Sequence, residues 1–206
     1  MKKHSLFIAA TLLASCCFSQ TSSSGNSETQ EATFVVTVNN QEYILSEGEE
    51  LEVESTRISV KLADHKTFDI DYLSFNYPSH FSPEYEKDVG YQNWILNGND
   101  FVIMYFEIDA YTELDDFVDE LVGQFGKSNC RVEKTSVKLG DKILDGKRIN
   151  ISLVGQKLTL DFLEVGVSDS TSRFIAFQDT KNDDGSDSEE SSKTLKMIDR
   201  TVEYND

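Results

Sequence analysis

Hydrophobic and polar positions change their spacing along this chain, and the changes mark its elements. Thr33–Val38 and Gln41–Leu45 read as strands. They flank Asn39-Asn40, and asparagine tolerates the positive φ that a two-residue hairpin turn requires. Leu51–Glu54 and Ile58–Leu62 suggest a second short pair. Phe68, Ile70 and Tyr72 alternate with polar neighbours, and the phase then slips to Leu73, Phe75 and Tyr77. Pro78 and Pro83 bracket what reads as a non-strand connection. Tyr91–Leu96 and Phe101–Ile108 predict a hairpin around Asn97-Gly98-Asn99-Asp100. Phe101–Phe106 is almost continuously apolar, the pattern of a strand covered on both faces.

The period then becomes helical. Leu114, Phe117, Val118, Leu121, Val122 and Phe125 step by three and four, so Thr112–Phe125 is predicted as a helix with one apolar stripe. Thr112 and Asp115 suggest its cap, and Gly126 its stop. Arg131–Leu139, Lys147–Val154, Lys157–Val165 and Arg173–Gln178 predict a strand meander, with turns at Asp145-Gly146 and Gly155-Gln156. Asp179–Glu190 is a polar loop. Ser186 and Glu189 resemble a capping box before a last helix, Ser188–Val202, whose Leu195, Ile198 and Val202 face inward. The expected fold is α+β, one antiparallel sheet with helices packed against it. Residues 33–206 form one domain on this reading, with 33–65 either an N-terminal β-hairpin extension or part of the main sheet.

Charge narrows the partners. Thirty-seven acidic residues face 19 basic ones, a formal net charge of −18 over 206 residues. Such a surface repels phosphate backbones and anionic headgroups, which argues against nucleic acid and against membrane contact beyond a covalent anchor. The plainest use of the charge is solubility.

The amino terminus reads as an export signal. Met1-Lys2-Lys3-His4 is a short basic segment, and Leu6–Ala14 is an apolar run far shorter than the ~20 residues of a membrane-spanning helix. The run ends in Leu13-Ala14-Ser15-Cys16. This resembles the lipobox of bacterial lipoproteins, which implies cleavage after Ser15 and acylation of Cys16. With Lys2 and Lys3 gone, 17 bases would stand against 37 acids, a net of −20. Cys17-Phe18-Ser19 before Gln20 also suits ordinary signal peptidase, which would leave a soluble periplasmic or secreted product. Residues 16–32 contain Thr21-Ser22-Ser23-Ser24-Gly25-Asn26-Ser27 and read as a flexible tether.

The order of elements resembles the PsbP-like superfamily. The likeness rests on Leu73-Ser74-Phe75-Asn76-Tyr77-Pro78, on Trp94 before a hairpin, on the helix after Tyr111, and on the meander and closing helix. Phe81 stands where that family usually has a tryptophan. The resemblance covers roughly Phe68 to Tyr204 and implies an α/β/α sandwich. It also implies a non-catalytic accessory or assembly factor that binds another envelope protein. It transfers no site residues.

Candidate chemistry is sparse. Cys130 is either a small buried hydrophobe or a nucleophile lacking a base. His65 and His80 show no metal spacing, and His80 sits in the Pro78–Pro83 connection. Asp183, Asp184 and Asp187 are the weak metal candidates. With Gly185 in the sixth place of a calcium loop, Thr180 and Ser191 fill positions that require carboxylates, so a solvated loop is the default. Tyr72, Phe75, Tyr77, Phe81, Tyr85, Tyr91 and Trp94 would line a pocket or, more simply, a core. The resulting expectation is an exported, lipid-anchored, non-enzymatic protein-binding factor of the cell envelope, without cofactor. The alternative is a small-ligand or calcium-binding module. A hydrolase comes third, since it needs Cys130, His80 or a carboxylate pair brought together in a cleft.

Overall fold

A computed structural model describes residues 33–205 except 47, 54, 55, 62, 154 and 169. The predicted signal segment 1–15, the tether 16–32 and Cys16 lie outside the described residues. The chain divides into two compact units, the first ending at Asp64 and the second running from His65 to Asp206.

In the first unit, β1 (Thr33–Val38) and β2 (Gln41–Ser46) pair as an antiparallel hairpin, and β3 (Glu50–Val53) pairs with β4 (Thr56–Ser59). Asn39 and Asn40 take φ of 52° and 64°, the left-handed region that asparagine enters at little cost. Phe34, Val36, Tyr43 and Leu45 share one face of the first hairpin. Val35 and Ile44 stand opposite one another on the other face, 65% and 73% exposed.

The second unit contains β5 (His65–Ile70), β6 (Leu73–Pro78), β7 (Ser82–Asp88), β8 (Tyr91–Asn97), β9 (Phe101–Ile108) and α1 (Leu114–Phe125). Then come β10 (Cys130–Leu139), β11 (Lys142–Leu153), β12 (Gln156–Val167), β13 (Ser172–Thr180), α2 (Glu189–Thr201) and β14 (Glu203–Tyr204). Seven strands make one antiparallel sheet in the order β10-β11-β12-β13-β9-β8-β7, and a smaller sheet runs β14-β6-β5. The apolar run Phe101–Phe106 therefore lies in an interior strand. Its alternate side chains serve two different layers.

On one face, α1 buries Phe117 against Phe106, Phe162 and Phe174, with ring centroids 5.4, 4.8 and 5.7 Å away. Truncating such a ring to alanine costs about 3–5 kcal/mol. On the other face, Ile103, Tyr105, Leu163, Ile175 and Phe177 pack with Phe68 and Phe75 of the small sheet and Ile198 of α2. The slip in alternation after Tyr72 is now explained. Asp71-Tyr72 is a turn, and Phe68 comes back opposite Phe75 with ring centroids 5.0 Å apart.

The expected α/β/α sandwich is not what forms. Strands hold 59% of the described residues and helices 17%. One helix, not a helical layer, covers the first face of the large sheet, and a second sheet takes much of the other. Two misread segments explain the difference. The connection read between Pro78 and Pro83 gives way to a strand at Ser82, and Ser82–Asp88, which has almost no apolar alternation to announce it, pairs along β8 and sets Tyr85 opposite Trp94. Asp145-Gly146 reads as a turn but lies inside β11, with Gly146 opposite both Thr135 and Leu163. A Cβ there would sit 2.1 Å from the Phe162 carbonyl oxygen, so this glycine serves close strand packing. The actual turn is Gly140-Asp141, where Gly140 has φ of 62°.

The helix starts also differ from expectation. Glu113 precedes α1 and its side chain caps nothing, while the Thr112 amide donates to Ser172 Oγ at 2.8 Å. The cap of α2 is Ser188, not Ser186: Ser188 Oγ accepts from the Ser191 amide at 3.0 Å. No helix among the described residues is long and apolar enough to cross a membrane.

Candidate functional site

The acidic loop between β13 and α2 uses its polar groups internally. Asp179 is 4% exposed. It accepts from Lys181 Nζ at 3.0 Å and, more distantly, from the Ser188 amide at 3.3 and 3.4 Å. Lys181 also bonds to Asp187. Asp184 accepts from the side chain and amide of Ser186 at 2.6 and 2.9 Å, and these bonds hold its carboxyl below the usual range. Asp183 is exposed. The three weak metal candidates thus share one loop, but two of them are already partnered. No group of three His, Cys, Asp or Glu side chains suited to a metal occurs among the described residues.

The loop ends in Glu190, a residue that local sequence did not single out. Its side chain is 13% exposed. Oε2 accepts from the amides of Asp100 and Phe101 at 2.6 and 2.9 Å, and Oε1 meets His80 Nε2 at 2.7 Å and Asn99 Nδ2 at 3.3 Å. Burial pushes this carboxyl up, but the bonds from His80 and from the backbone of Asp100, Asn99 and Phe101 outweigh it and leave it below its ordinary value. A carboxylate in the first turn of α2 thereby holds the β8–β9 turn. That turn needs Gly98, because a Cβ there would lie 2.6 Å from Phe81 Cζ and 2.7 Å from Glu190 Oε2.

The remaining nominated groups stay apart. Cys130 opens β10 as a half-buried free thiol, pushed up by burial toward the protonated form. His80 is tied to Glu190 beside the start of β9, and β11, β12 and β13 separate β9 from β10. Of the aromatics, Phe75, Tyr77, Phe81 and Tyr91 are buried and Tyr72 and Trp94 half-buried. Tyr85 remains 51% exposed, with its hydroxyl donating to Gln92 at 2.7 Å. They form core and rim, not a pocket.

A different place is open. A cleft of about 1020 Å³ lies where the first turn of α1 meets β10, β11 and β12. Leu114 and Asp115 border it on the helix, Lys134, Ile143 and Lys147 on the strands, and Glu164 beyond. Lys134 and Lys147 stand directly opposite each other across β10 and β11, an arrangement of like charges that is unfavourable by itself. Asp115 relieves it by pairing with Lys147 at 2.8 Å. Ile143, 71% exposed, adds an apolar point to this charged surface. Such walls suit a polar or peptidic ligand held by ion pairs and one apolar contact. Sequence reasoning missed the lysine pair because it depends on the turn position. With the turn at Gly140-Asp141, counting outward brings Lys134 opposite Lys147.

No family model matches the chain, and no curated protein matches it. A solved structure from Bacteroides thetaiotaomicron shares 16% identity with it, over 70% of this chain and 50% of that one, at a TM-score of 0.41. The chain therefore spans about half the length of that protein. A likeness this loose fixes neither fold nor function.

Proposed function

We propose that the chain is an exported, lipid-anchored protein of the bacterial cell envelope that works by binding another protein. The carrying observation is Leu13-Ala14-Ser15-Cys16, placed at the end of the apolar run Leu6–Ala14 and behind Lys2 and Lys3. Cys16 is the acylated residue on this reading, and residues 16–32 are the tether. The cleft beside α1 supports the binding role, because it combines ion-pairing side chains with the exposed Ile143. The protonated thiol of Cys130 and the engaged ring of His80 support a non-enzymatic reading.

The mass of the mature amino terminus tests the anchor. A diacylated Cys16 is the expected result, and Cys16→Ala should leave the precursor unprocessed. A chain starting at unmodified Gln20 would replace the anchor with a soluble product. The binding role is tested by crosslinking in the native envelope. One dominant protein partner, lost in Ile143→Asp, is expected. No partner, together with a thermal shift produced by a small envelope metabolite, would move the cleft to the small-ligand reading.

A further inference from the structure

Charge is not spread evenly over the large sheet. One edge strand, β7, sets Glu84, Glu86 and Asp88 against Lys87. The other, β10, sets Arg131, Lys134 and Lys138 against Glu133, in a chain with 37 acids and 19 bases. Lys134 and Lys138 are four residues apart on one strand and so share a face. It is the α1 face, because Lys134 stands opposite Lys147, which reaches Asp115 of α1. Charge of either sign keeps a foreign strand off an edge. That purpose does not require two lysines on one face, nor a third directly across from one of them, where like charges oppose folding. Among the described residues Lys134 and Lys138 form no ion pair, and Lys147 pairs with a carboxylate that is itself 68% exposed. The same floor carries the opposite sign in between. Asp145 is exposed opposite Ser136, midway between the two lysine positions. Gly146 opposite Leu163 brings Glu164 alongside it.

We propose that the cleft takes an extended segment of the partner protein that carries acid, base and acid at every second residue. This rests on the protein-binding reading above and names what the partner presents. Alternate residues of an extended chain point the same way, and the first and fifth lie about 13 Å apart, the separation of Lys134 from Lys138 along β10. Two carboxylates so spaced meet the two lysines, and the base between them meets Asp145 and Glu164. A carboxylate at Lys134 also relieves its repulsion with Lys147. Nucleic acid and an anionic bilayer present negative charge without a gap, so Asp145 and Glu164 select against both.

Fluorescence anisotropy with the purified full-length chain tests the pattern, at low salt, where ion pairs are least screened. The probes are the end-blocked peptide Thr-Glu-Thr-Lys-Thr-Glu-Thr, its charge reversal Thr-Lys-Thr-Glu-Thr-Lys-Thr, and a third with glutamate at all three charged places. The first should bind roughly tenfold or more tighter than either of the others. Lys134→Glu combined with Lys138→Glu should weaken the first probe by a similar factor and improve the reversal, while the circular dichroism holds and the melting temperature does not fall. Asp145→Lys should raise the all-glutamate probe to the level of the first. No binding by the first probe, equal binding of it and its reversal, or binding unchanged by the double lysine variant would overturn the proposal. Crosslinking in the native envelope separates this failure from that of the protein-binding reading. A partner lost in Ile143→Asp but kept in the double lysine variant would overturn the charge pattern alone. A chain that discriminates the probes yet captures no protein would uphold the charge pattern and remove the protein partner.

Discussion

Helix α2 begins at Ser188, whose hydroxyl caps the Ser191 amide, and its Glu190 reaches across to the amides of Asp100 and Phe101. Helix α1 begins at Glu113, which caps nothing, and its Asp115 reaches out to Lys147 at the border of an open cleft. Both helices carry two acidic residues in the first turn, where the helix dipole favours them. The difference lies in what receives the carboxylate. Glu190 is largely buried and meets two backbone amides, a histidine and an asparagine, so it joins distant segments. Asp115 has a side chain 68% exposed and meets one lysine. Equal local chemistry thus yields a fastening at one helix and an adaptable surface at the other.

This contrast can be broken most directly at Glu190. Glu190→Ala should lower unfolding stability by about 2–4 kcal/mol, since charge-assisted bonds and buried amides lose their partner together. Urea unfolding measures it, and a loss under about 0.5 kcal/mol, the range of an ordinary surface substitution, would reduce the fastening to a surface contact. The acid limb sharpens the same point. The folded carboxyl lies below its ordinary 4.5, so the unfolded chain binds the proton more tightly. Its stabilisation is present above that value and disappears as pH falls through the folded pKa. The acid loss should be shallower in Glu190→Gln than in the parent chain.

Smaller effects follow from the caps. Ser188→Ala should cost about 1 kcal/mol, the usual price of a lost serine cap. Glu113→Ala removes no capping bond, and its effect should stay within about 0.5 kcal/mol in the same urea series. The smallest change belongs to the cleft. Asp115→Asn should shift stability by no more than about 0.5 kcal/mol, because exposed ion pairs contribute little. A partner bound at the cleft should nevertheless respond to it, read as a change in capture from the envelope. A large stability loss in Asp115→Asn would show that the two helix starts do the same work.

Much of the local structure was readable before any coordinates. The Asn39-Asn40 turn, the interior run Phe101–Phe106 and the stripe Phe117, Val118, Leu121, Val122 and Phe125 all appear as expected. The layer arrangement was not readable. Ser82–Asp88 carries little apolar signal because it is an edge strand, and Gly146 mimics a turn because strand packing also demands a residue without a Cβ. Of the nominated site residues, Asp184 and Asp187 find their partners, Ser186 and Lys181, within their own loop, but nothing near His80 in sequence names its partner. His80 finds Glu190 110 positions away.

What the sequence determined by itself is therefore what neighbouring residues settle among themselves: side-chain period, the φ that a turn residue tolerates, the stripe of a helix. Tertiary structure alone decided which carboxylate is buried against amides, which lysines oppose each other, and which segments add to a sheet. Those outcomes depend on groups far apart along the chain. Their energies come from desolvation and from directional bonds that exist only once the strands are in register.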